Sequence, residues 1–294
     1  MLPRPTLHDV ARAAGVSKAS ASRVLAGSTT VGGDLHARIM AAAVRLGYRT
    51  NLAARALASQ RSGLIGIIVA KPADSLLANV LHGAQRTLAD RGYSALLTSL
   101  DAAAGGATEQ RTLVARGVEA ILYLGFSPAA PEIEACAKDG VGWVAIADDQ
   151  SGPGIQIDDG RRRGAELACR FLLDLGHERF GVVTHRLTGT REGVTSALEG
   201  TAADLVVAEW PGGDSNSVGT AVNRLLEAHP VPSAIICSSD EEALAALREC
   251  SIRGIAVPRE LSIVGFGDSA FARYALPALT TVRVATAELG RRST

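Results

Sequence analysis

Four residues near the N-terminus have the types and spacing needed to read DNA bases. Lys18 and Ser22 are four residues apart, as are Ala19 and Arg23, so on a helix the four would form one exposed stripe. An arginine can pair with guanine through two hydrogen bonds or clamp a phosphate, and a short helix fits the major groove. Helical spacing of this kind also occurs on any small three-helix unit, so the stripe alone favours an ordinary three-helix unit over a DNA-reading helix.

Three short helices are predicted to position this stripe. Thr6 and Ser17 are expected to cap the first and second helices, because hydroxyl side chains accept hydrogen bonds from amides of the first turn. Gly15, Gly27 and Gly47 are expected to end the three helices in turn. The inward-facing residues predicted from helical spacing are Leu7, Val10, Ala11, Ala14, Ala21, Val24, Leu25, Leu35, Ile39, Ala42 or Ala43, and Leu46.

The charge distribution separates this segment from the rest of the chain. The formal net charge of the 294 residues is zero, yet residues 1–62 hold nine Lys and Arg against two acidic residues. The remainder holds 21 basic and 28 acidic residues, so a segment of +7 is joined to one of −7. Such asymmetry is typical of a phosphate-binding module attached to an acidic domain, although a solvated surface would also account for a charge run alone.

From residue 64 onwards, apolar runs alternate with Ala-rich helical segments. Strands are predicted at 64–70, 93–100, 118–124, 141–147, 179–184, 204–209, 233–238 and 261–266, with helices between them. Near-continuous apolar strands separated by helices indicate parallel sheets covered on both faces. The alternation is interrupted around residues 151–160, which predicts two doubly wound lobes with a cleft between them.

Several classes of protein are disfavoured by what the sequence lacks. The four cysteines (Cys136, Cys169, Cys237 and Cys250) show no metal-ligand or disulfide spacing, so they are interpreted as reduced thiols and no metal or cofactor is expected. No signal peptide or membrane-spanning run is found, which predicts a soluble cytoplasmic protein. An enzyme is disfavoured because no nucleophile elbow, phosphate loop or dinucleotide fingerprint is found, and a transport-type binding protein would require a signal peptide.

A set of short strings identifies a resemblance for the N-terminal segment. The strings are Asp9-Val10-Ala11, Ala14-Gly15-Val16-Ser17, Ser22-Arg23-Val24-Leu25, Leu46-Gly47-Tyr48 and Asn51-x-x-Ala54-Arg55-x-Leu57. At fixed spacing over about fifty residues, they closely resemble the headpiece of the lactose-repressor (LacI) family of bacterial regulators.

The resemblance implies a role for each matched DNA-binding position. Lys18, Ala19 and Arg23 would face base edges, and residues 51–58 would form a hinge helix on operator DNA, with Leu57 wedged into the minor groove. Without the resemblance, Leu57 would be assigned to a core. The full matched set is Thr6, Ser17, Lys18, Ala19, Ser22, Arg23, Tyr48, Asn51, Ala54, Arg55 and Leu57. The family often has hydroxyl residues at the positions of Gly32 and Leu35, so some backbone contacts are expected to be lost.

A weaker resemblance to the same family continues to about residue 290. It implies a core like that of periplasmic sugar-binding proteins, in which two α/β lobes enclose a small effector in their cleft. The expected domains are a headpiece at 1–50, a hinge and linker at 51–62 and a core at 63–294. Within the core, the first lobe is expected to comprise residues 63–157 and 279–290, and the second lobe residues 158–278.

The pocket positions implied by the resemblance are altered in this chain. Residues 74–77 read Asp-Ser-Leu-Leu where relatives have Asn-Pro-Phe-Phe, so the aromatic wall that stacks on sugars is absent. The candidate effector-binding residues are Asp74, Leu76, Asp158, Asp159, Arg191, Ser239, Asp240 and Asp268. For the polar members of this set, a helix cap or a solvated loop remains the alternative role. The alterations predict an effector other than a common sugar, or a weak response to one.

The C-terminus is the largest departure from the resemblance. Family members usually continue for several tens of residues beyond the position of Thr294. The second lobe is therefore expected to be incomplete, with apolar surface exposed along residues 179–184 and 233–238. The sequence as a whole predicts a DNA-binding transcriptional regulator, most simply a repressor, that binds a near-palindromic operator as a homodimer and responds to a small-molecule effector.

Overall fold

The computed structural model describes residues 5–25, 27, 32–49, 56, 61–70, 75–100, 106–147, 155–185, 189–210 and 215–294. Two compact units make up the chain, Met1–Ser62 and Gly63–Thr294. Each unit has its own hydrophobic core.

The first unit contains the three predicted helices, α1 (Leu7–Ala14), α2 (Lys18–Leu25) and α3 (Gly33–Leu46). Their ends follow the expected local chemistry. The Thr6 hydroxyl accepts the Asp9 amide at 3.4 Å, while the Asp9 carboxylate accepts the Thr6 amide at 2.9 Å, which completes a capping box. The Ser17 hydroxyl caps α2 by accepting the Ser20 amide at 3.1 Å. Gly15 and Gly47 adopt φ of 64° and 63° at the ends of α1 and α3.

The core of this unit closely matches the apolar positions predicted from helical spacing. Its fully buried members are Val10, Ala11, Ala14, Ala21, Val24, Ile39, Ala42 and Ala43. Leu7, Val16, Leu25, Leu35, Leu46 and Tyr48 are partly buried against them.

Lobe 1 of the second unit is a five-stranded sheet in the order β2-β1-β3-β4-β5, with every pairing parallel. Helices α4 and α11 cover one face of this sheet, while α5 and α6 cover the other. The bounds are β1 (Leu64–Val69), α4 (Ser75–Asp90), β2 (Ser94–Ser99), α5 (Ala107–Ala115), β3 (Ala120–Leu124), α6 (Ala130–Asp139), β4 (Gly142–Ala147), β5 (Ile155–Asp158) and α11 (Thr286–Arg292).

Lobe 2 repeats this plan with the order β10-β9-β8-β6-β7, again with parallel pairings. Helices α7 and α8 cover one face, and α9 and α10 cover the other. The bounds are α7 (Arg161–Asp174), β6 (Arg179–His185), α8 (Thr190–Leu198), β7 (Asp204–Trp210), α9 (Ser215–Leu226), β8 (Ala234–Cys237), α10 (Asp240–Arg253), β9 (Ser262–Phe266), a 3₁₀ turn (Ala270–Arg273) and β10 (Thr280–Val282).

The C-terminal segment differs in one respect from the expectation that residues 279–290 belong to lobe 1. Strand β10 pairs with β9 and so extends the sheet of lobe 2. Helix α11 does return to lobe 1, where it packs closely against α4 because glycines face each other. A Cβ on Gly290 would lie 2.3 Å from the Val80 carbonyl oxygen, and one on Gly83 would lie 3.1 Å from that of Ala287.

The expectation of open apolar surface in lobe 2 is wrong. Phe180, Val182 and Val183 are buried, as are all four residues of β8. The reason is that both runs form central strands, which the chain's own helices cover from both faces. Strand β5 was also not predicted, because its four residues lie at the interruption of the helix–strand alternation.

Candidate nucleic-acid interface and interlobe cleft

Helix α2 presents the stripe predicted from its spacing. Ala21 and Val24 are buried in the core of the first unit, and this orientation leaves the opposite side of the helix in solvent. The exposed residues on that side are Lys18, Ala19, Ser22 and Arg23. Two hydrogen-bonding cations and a hydroxyl are thus available on a helix of eight residues, which is a suitable length for the major groove.

Two other candidate DNA contacts, Thr6 and Ser17, are exposed and act as helix caps in the structure. The Thr6 amide and hydroxyl both donate to the Asp9 carboxylate, and these hydrogen bonds lower the pKa of Asp9, with the amide as the larger cause. Ser17 fixes the start of α2 and therefore the orientation of the stripe. Tyr48 is half-buried against the core.

One of the basic residues of this unit has a structural partner. The Arg38 guanidinium donates to the Ala14 carbonyl oxygen at 2.7 Å, at the C-terminal end of α1. A cation there satisfies a terminal carbonyl and opposes the negative end of the helix dipole. The charge of Arg38 still adds to the positive electrostatic potential of the unit, but its hydrogen bond to α1 fixes the position of the guanidinium.

Five candidate residues lie outside the described part of the chain. They are the DNA-contact candidates Asn51, Ala54, Arg55 and Leu57, and the effector candidate Asp74.

The candidate Asp159 follows β5 of lobe 1 and belongs to a buried polar network that reaches the carboxyl end of β8 in lobe 2. Its carboxylate accepts the Arg161 Nε at 3.0 Å, and both side chains are almost completely buried. Arg161 also donates to the Ser238 carbonyl oxygen at 2.5 Å, and its guanidinium lies 5.7 Å from the Phe266 ring centroid. This network ties the crossing between β5 and α7 to the end of β8.

The candidates Ser239 and Asp240 are also buried and hydrogen-bonded within lobe 2. Ser239 is the N-cap of α10 and accepts the Glu242 amide at 3.3 Å. The Asp240 carboxylate accepts the Ser269 amide at 2.6 Å and the Thr281 hydroxyl at 2.5 Å. Asp240 therefore joins α10 to the loop after β9 and to β10.

The remaining described candidates are more dispersed. Asp158 is exposed and accepts the Gly160 amide at 2.8 Å, while Arg191 is exposed and pairs with Glu209 at 3.4 Å. Asp268 has φ of 48° and pairs with the Arg283 Nε at 2.5 Å. Leu76 is buried and approaches the backbone of lobe 2 near Gly267.

Two residues that the sequence did not single out complete the buried network. The Trp210 indole donates to Glu242 Oε1 at 2.7 Å, and Glu242 Oε2 accepts the Ser238 amide and hydroxyl at 2.8 and 2.6 Å. Three consecutive acidic residues at the start of α10 were the available signal, because such a run after a parallel strand marks a helix N-terminus. The pairing of Trp210 with Glu242 depends on the tertiary arrangement.

The cysteines are free and buried. Burial raises the pKa of the Cys169 thiol to about 11, and it raises those of Cys136, Cys237 and Cys250 as well. Within the described ranges, no cluster of three His, Cys, Asp or Glu residues could hold a metal ion. Nor is any helix among them long and apolar enough to cross a membrane.

Comparison with known protein families separates the two units. Residues 6–51 match the bacterial regulatory proteins of the lacI family, and residues 169–294 match the periplasmic binding protein-like domain. The chain is 32% identical over 305 residues to the HTH-type transcriptional regulator GalS of Salmonella typhimurium, covering 98% of this chain and 88% of that protein. It is 29% identical over 299 residues to the regulator GntR of Pseudomonas aeruginosa, covering 99% and 87%.

Solved structures show the same architecture. A lac repressor dimer bound to operator and the anti-inducer ONPF matches with a TM-score of 0.86 at 23% identity, covering 99% of this chain and 91% of that chain. A complex of the transcriptional regulator CelR with cellobiose matches with a TM-score of 0.70 at 25% identity and the same coverage.

A helix-turn-helix headpiece joined to two parallel-sheet lobes defines a DNA-binding transcriptional regulator, and the similar proteins are regulators rather than enzymes. The chain belongs to the LacI family of bacterial transcriptional regulators.

Proposed function

We propose that this regulator is a repressor that binds a near-palindromic operator as a homodimer in the cytoplasm, with its DNA affinity set by a small molecule in the interlobe cleft. The observation that carries the proposal is the exposed stripe of α2 on a capped, well-packed helix. Its donors project from a basic unit, which supplies the general attraction to phosphates, while the side chains on the helix supply base recognition.

Each candidate DNA contact has a proposed role. Lys18, Ala19 and Arg23 read base edges in the major groove. Thr6, Ser17, Ser22, Tyr48 and Asn51 contact or orient the DNA backbone. Ala54, Arg55 and Leu57 belong to a hinge helix and linker at 51–62 that follow a headpiece at 1–50 and precede a core at 63–294, and Leu57 enters the minor groove.

Exposed apolar side chains of lobe 2 support the homodimer. Phe271, Tyr274 and Leu276 are 66, 82 and 95% exposed within six residues of chain. The 3₁₀ turn that carries Phe271 packs against α10, where Ile252 is a further exposed apolar residue. Large apolar side chains that are exposed close together in the sequence are typical of an interface, and a twofold dimer matches the symmetry of two operator half-sites. The similar lac repressor structure is a dimer bound to operator.

The cleft between the lobes is the proposed effector site, with contributions from Asp74, Leu76, Asp158, Asp159, Arg191, Ser239, Asp240 and Asp268. Ligands in open parallel sheets bind at the carboxyl ends of the strands, where several of these residues lie. The similar CelR structure holds cellobiose. In this chain Asp159, Ser239 and Asp240 already have protein partners, so the effector is proposed to differ from a common sugar.

Selection of DNA sequences from a random pool by the full-length protein tests the proposal. The expected result is a motif with two related half-sites, bound by a dimer. Arg23→Ala should degrade the motif, whereas Arg45→Ala, which removes an exposed arginine from α3, should retain it. Recovery of no motif, or of the same motif with both variants, would overturn the proposal.

A further inference from the structure

A hydrogen bond connects the two lobes directly, between the starts of the helices that follow β1 and β8. The Ser75 amide in lobe 1 donates to Glu241 Oε1 in lobe 2 at 3.3 Å, between residues that are 166 positions apart. Neither residue lies on a segment that crosses between the lobes. The contact therefore depends on how far the lobes are closed.

Both ends of this contact are helix N-termini. Ser75 is the first residue of the 16-residue helix α4, whose initial amides have no partners within the helix. Glu241 lies in the first turn of α10, whose own cap is provided by Ser239. The Glu241 carboxylate thus lies at the positive end of its own helix and accepts an amide at the positive end of a helix in the other lobe.

The backbone around this contact allows the lobes to meet. A Cβ on Gly267 of lobe 2 would lie 3.7 Å from the Ser75 hydroxyl and 3.9 Å from the Leu76 Cβ, both in lobe 1. The same Cβ would lie 3.8 Å from Asp240 Oδ2 in lobe 2. Gly267 has φ of 124°, a conformation that other residues rarely adopt. These distances are ordinary van der Waals contacts, so the two lobes lie close together at Gly267, and it is the φ of this residue that favours glycine.

The hydrogen-bonding capacity of the Glu241 carboxylate is only partly satisfied by this contact. Hydrogen bonds from amides to carboxylates are typically about 2.7–2.9 Å long, so 3.3 Å is a weak example. Glu241 Oε2 is buried and has no hydrogen-bond partner within the described ranges. A carboxylate oxygen buried without a donor opposes closure, because water would solvate it in the open arrangement.

We infer that Glu241 is an interlobe latch, a carboxylate of lobe 2 that holds the cleft closed on the N-terminus of α4 and is released when the lobes separate to admit an effector. The latch rests on the proposed effector-regulated function, since it specifies how the same cleft opens. Its weak geometry makes closure readily reversible. An effector that enters the cleft must therefore displace the Ser75–Glu241 hydrogen bond as well as water.

The distance between the lobes in the full-length protein, measured without DNA, tests the latch. Spin labels on Lys138→Cys in α6 and Ala202→Cys before β7 report on lobes 1 and 2, since both sites are exposed and the native cysteines are buried. Glu241→Ala should shift the distance distribution or broaden it markedly. Glu241→Gln, which keeps an acceptor oxygen but loses the charge, should do so to a smaller extent.

Glu199→Gln is the matched control, because it removes one exposed carboxylate of lobe 2 outside the cleft and should leave the distribution unchanged. Unfolding curves establish whether each variant is folded. If Glu241→Ala does not fold, the comparison is made with Glu241→Gln alone. Identical distributions for the Glu241 variants and the control would overturn the latch. DNA binding of the unaltered protein is measured separately. If the unaltered protein binds no operator while the Glu241 variants still change the distance distribution, the proposed function is rejected and the latch is retained.

Discussion

At the scale of single residues, chemical type sets what a side chain can do, and its partners decide what it does. Arg23 and Arg38 have the same side chain and lie in the same unit. Arg23 is exposed on α2, whereas Arg38 is committed to the Ala14 carbonyl oxygen. Asp240 is a candidate effector-binding residue, but its burial and its two hydrogen bonds give it a structural role.

Arg23→Ala should weaken operator binding by roughly 1–3 kcal/mol and reduce the preference for operator over random DNA, because a paired arginine discriminates between bases. Binding isotherms on both DNAs at one salt concentration measure this. Arg45→Ala is the control, and it should lower affinity for both DNAs by a similar factor. Unchanged discrimination in Arg23→Ala would remove α2 from base recognition.

The native cysteines should react slowly with a thiol reagent such as Ellman's reagent near pH 7.5. Burial raises their pKa values, to about 11 for Cys169, and the thiolate is the reactive form. Time courses in buffer and in denaturant measure the difference. In denaturant all four thiols should react rapidly with the reagent. Fast reaction of the thiols in the folded protein would contradict the observed burial.

At the scale of elements, local sequence signals set helix boundaries while packing sets helix positions. The capping box of α1 comes from residues three apart, so the chain can form it without tertiary help. The contact of α4 with α11 instead depends on Gly83 and Gly290, which are distant in sequence. Larger residues there would separate the helices.

The capping box predicts a pH-dependent stability for the headpiece. The folded-state pKa of Asp9 is lowered, first by the Thr6 amide, so its stabilisation is present above the unfolded pKa and is lost as pH falls through the folded value. Asp9→Asn should therefore flatten the acid side of the stability profile. Denaturant unfolding of the headpiece from pH 7 to pH 2, followed by circular dichroism, measures this.

The control is Asp34→Asn, which removes the other acidic residue of the headpiece, at the start of α3, and should retain the acid-side slope. An Asp9→Asn profile that coincides with that of the unaltered protein would show that the capping box does not contribute in solution.

At the scale of the whole molecule, charge asymmetry controls how the protein meets DNA. The excess of seven positive charges in residues 1–62 should make operator binding steeply salt-dependent, with each neutralised phosphate adding about −0.9 to the log–log slope. Affinities from 50 to 300 mM KCl measure the slope. Arg45→Ala, which removes an exposed positive charge outside the base-reading stripe, should make it shallower, and a slope near zero would contradict the electrostatic account.

The exposed surface of Phe271, Tyr274 and Leu276 belongs to the same scale because it concerns assembly. Tyr274→Asp should shift the protein towards monomer and weaken operator binding, since a charge at an interface must be desolvated. Sedimentation velocity measures the oligomeric state. Leu97→Asp, at an exposed position of β2 in lobe 1, is the control for introducing a charge elsewhere. If Tyr274→Asp leaves the mass unchanged, this surface is not the dimer contact.

The sequence by itself determined the headpiece, the outward stripe of α2 and the alternation of strands and helices in both lobes. These features could be predicted because caps, helix periodicity and apolar strand runs are signals among neighbouring residues. The DNA-contact set depended further on family resemblance, since helical spacing alone favoured an ordinary three-helix unit.

Only the tertiary structure decided which polar residues of the cleft already have partners within the protein and how the lobes contact each other. Asp159 is engaged by Arg161, Trp210 by Glu242, and Ser75 by Glu241, and the last two pairs are 32 and 166 residues apart. It also showed that helices from both sides cover the central strands of lobe 2, contrary to expectation. The physical reason is that burial and hydrogen-bond partnership depend on segments brought together by folding, and no local pattern in the sequence encodes which segments those are.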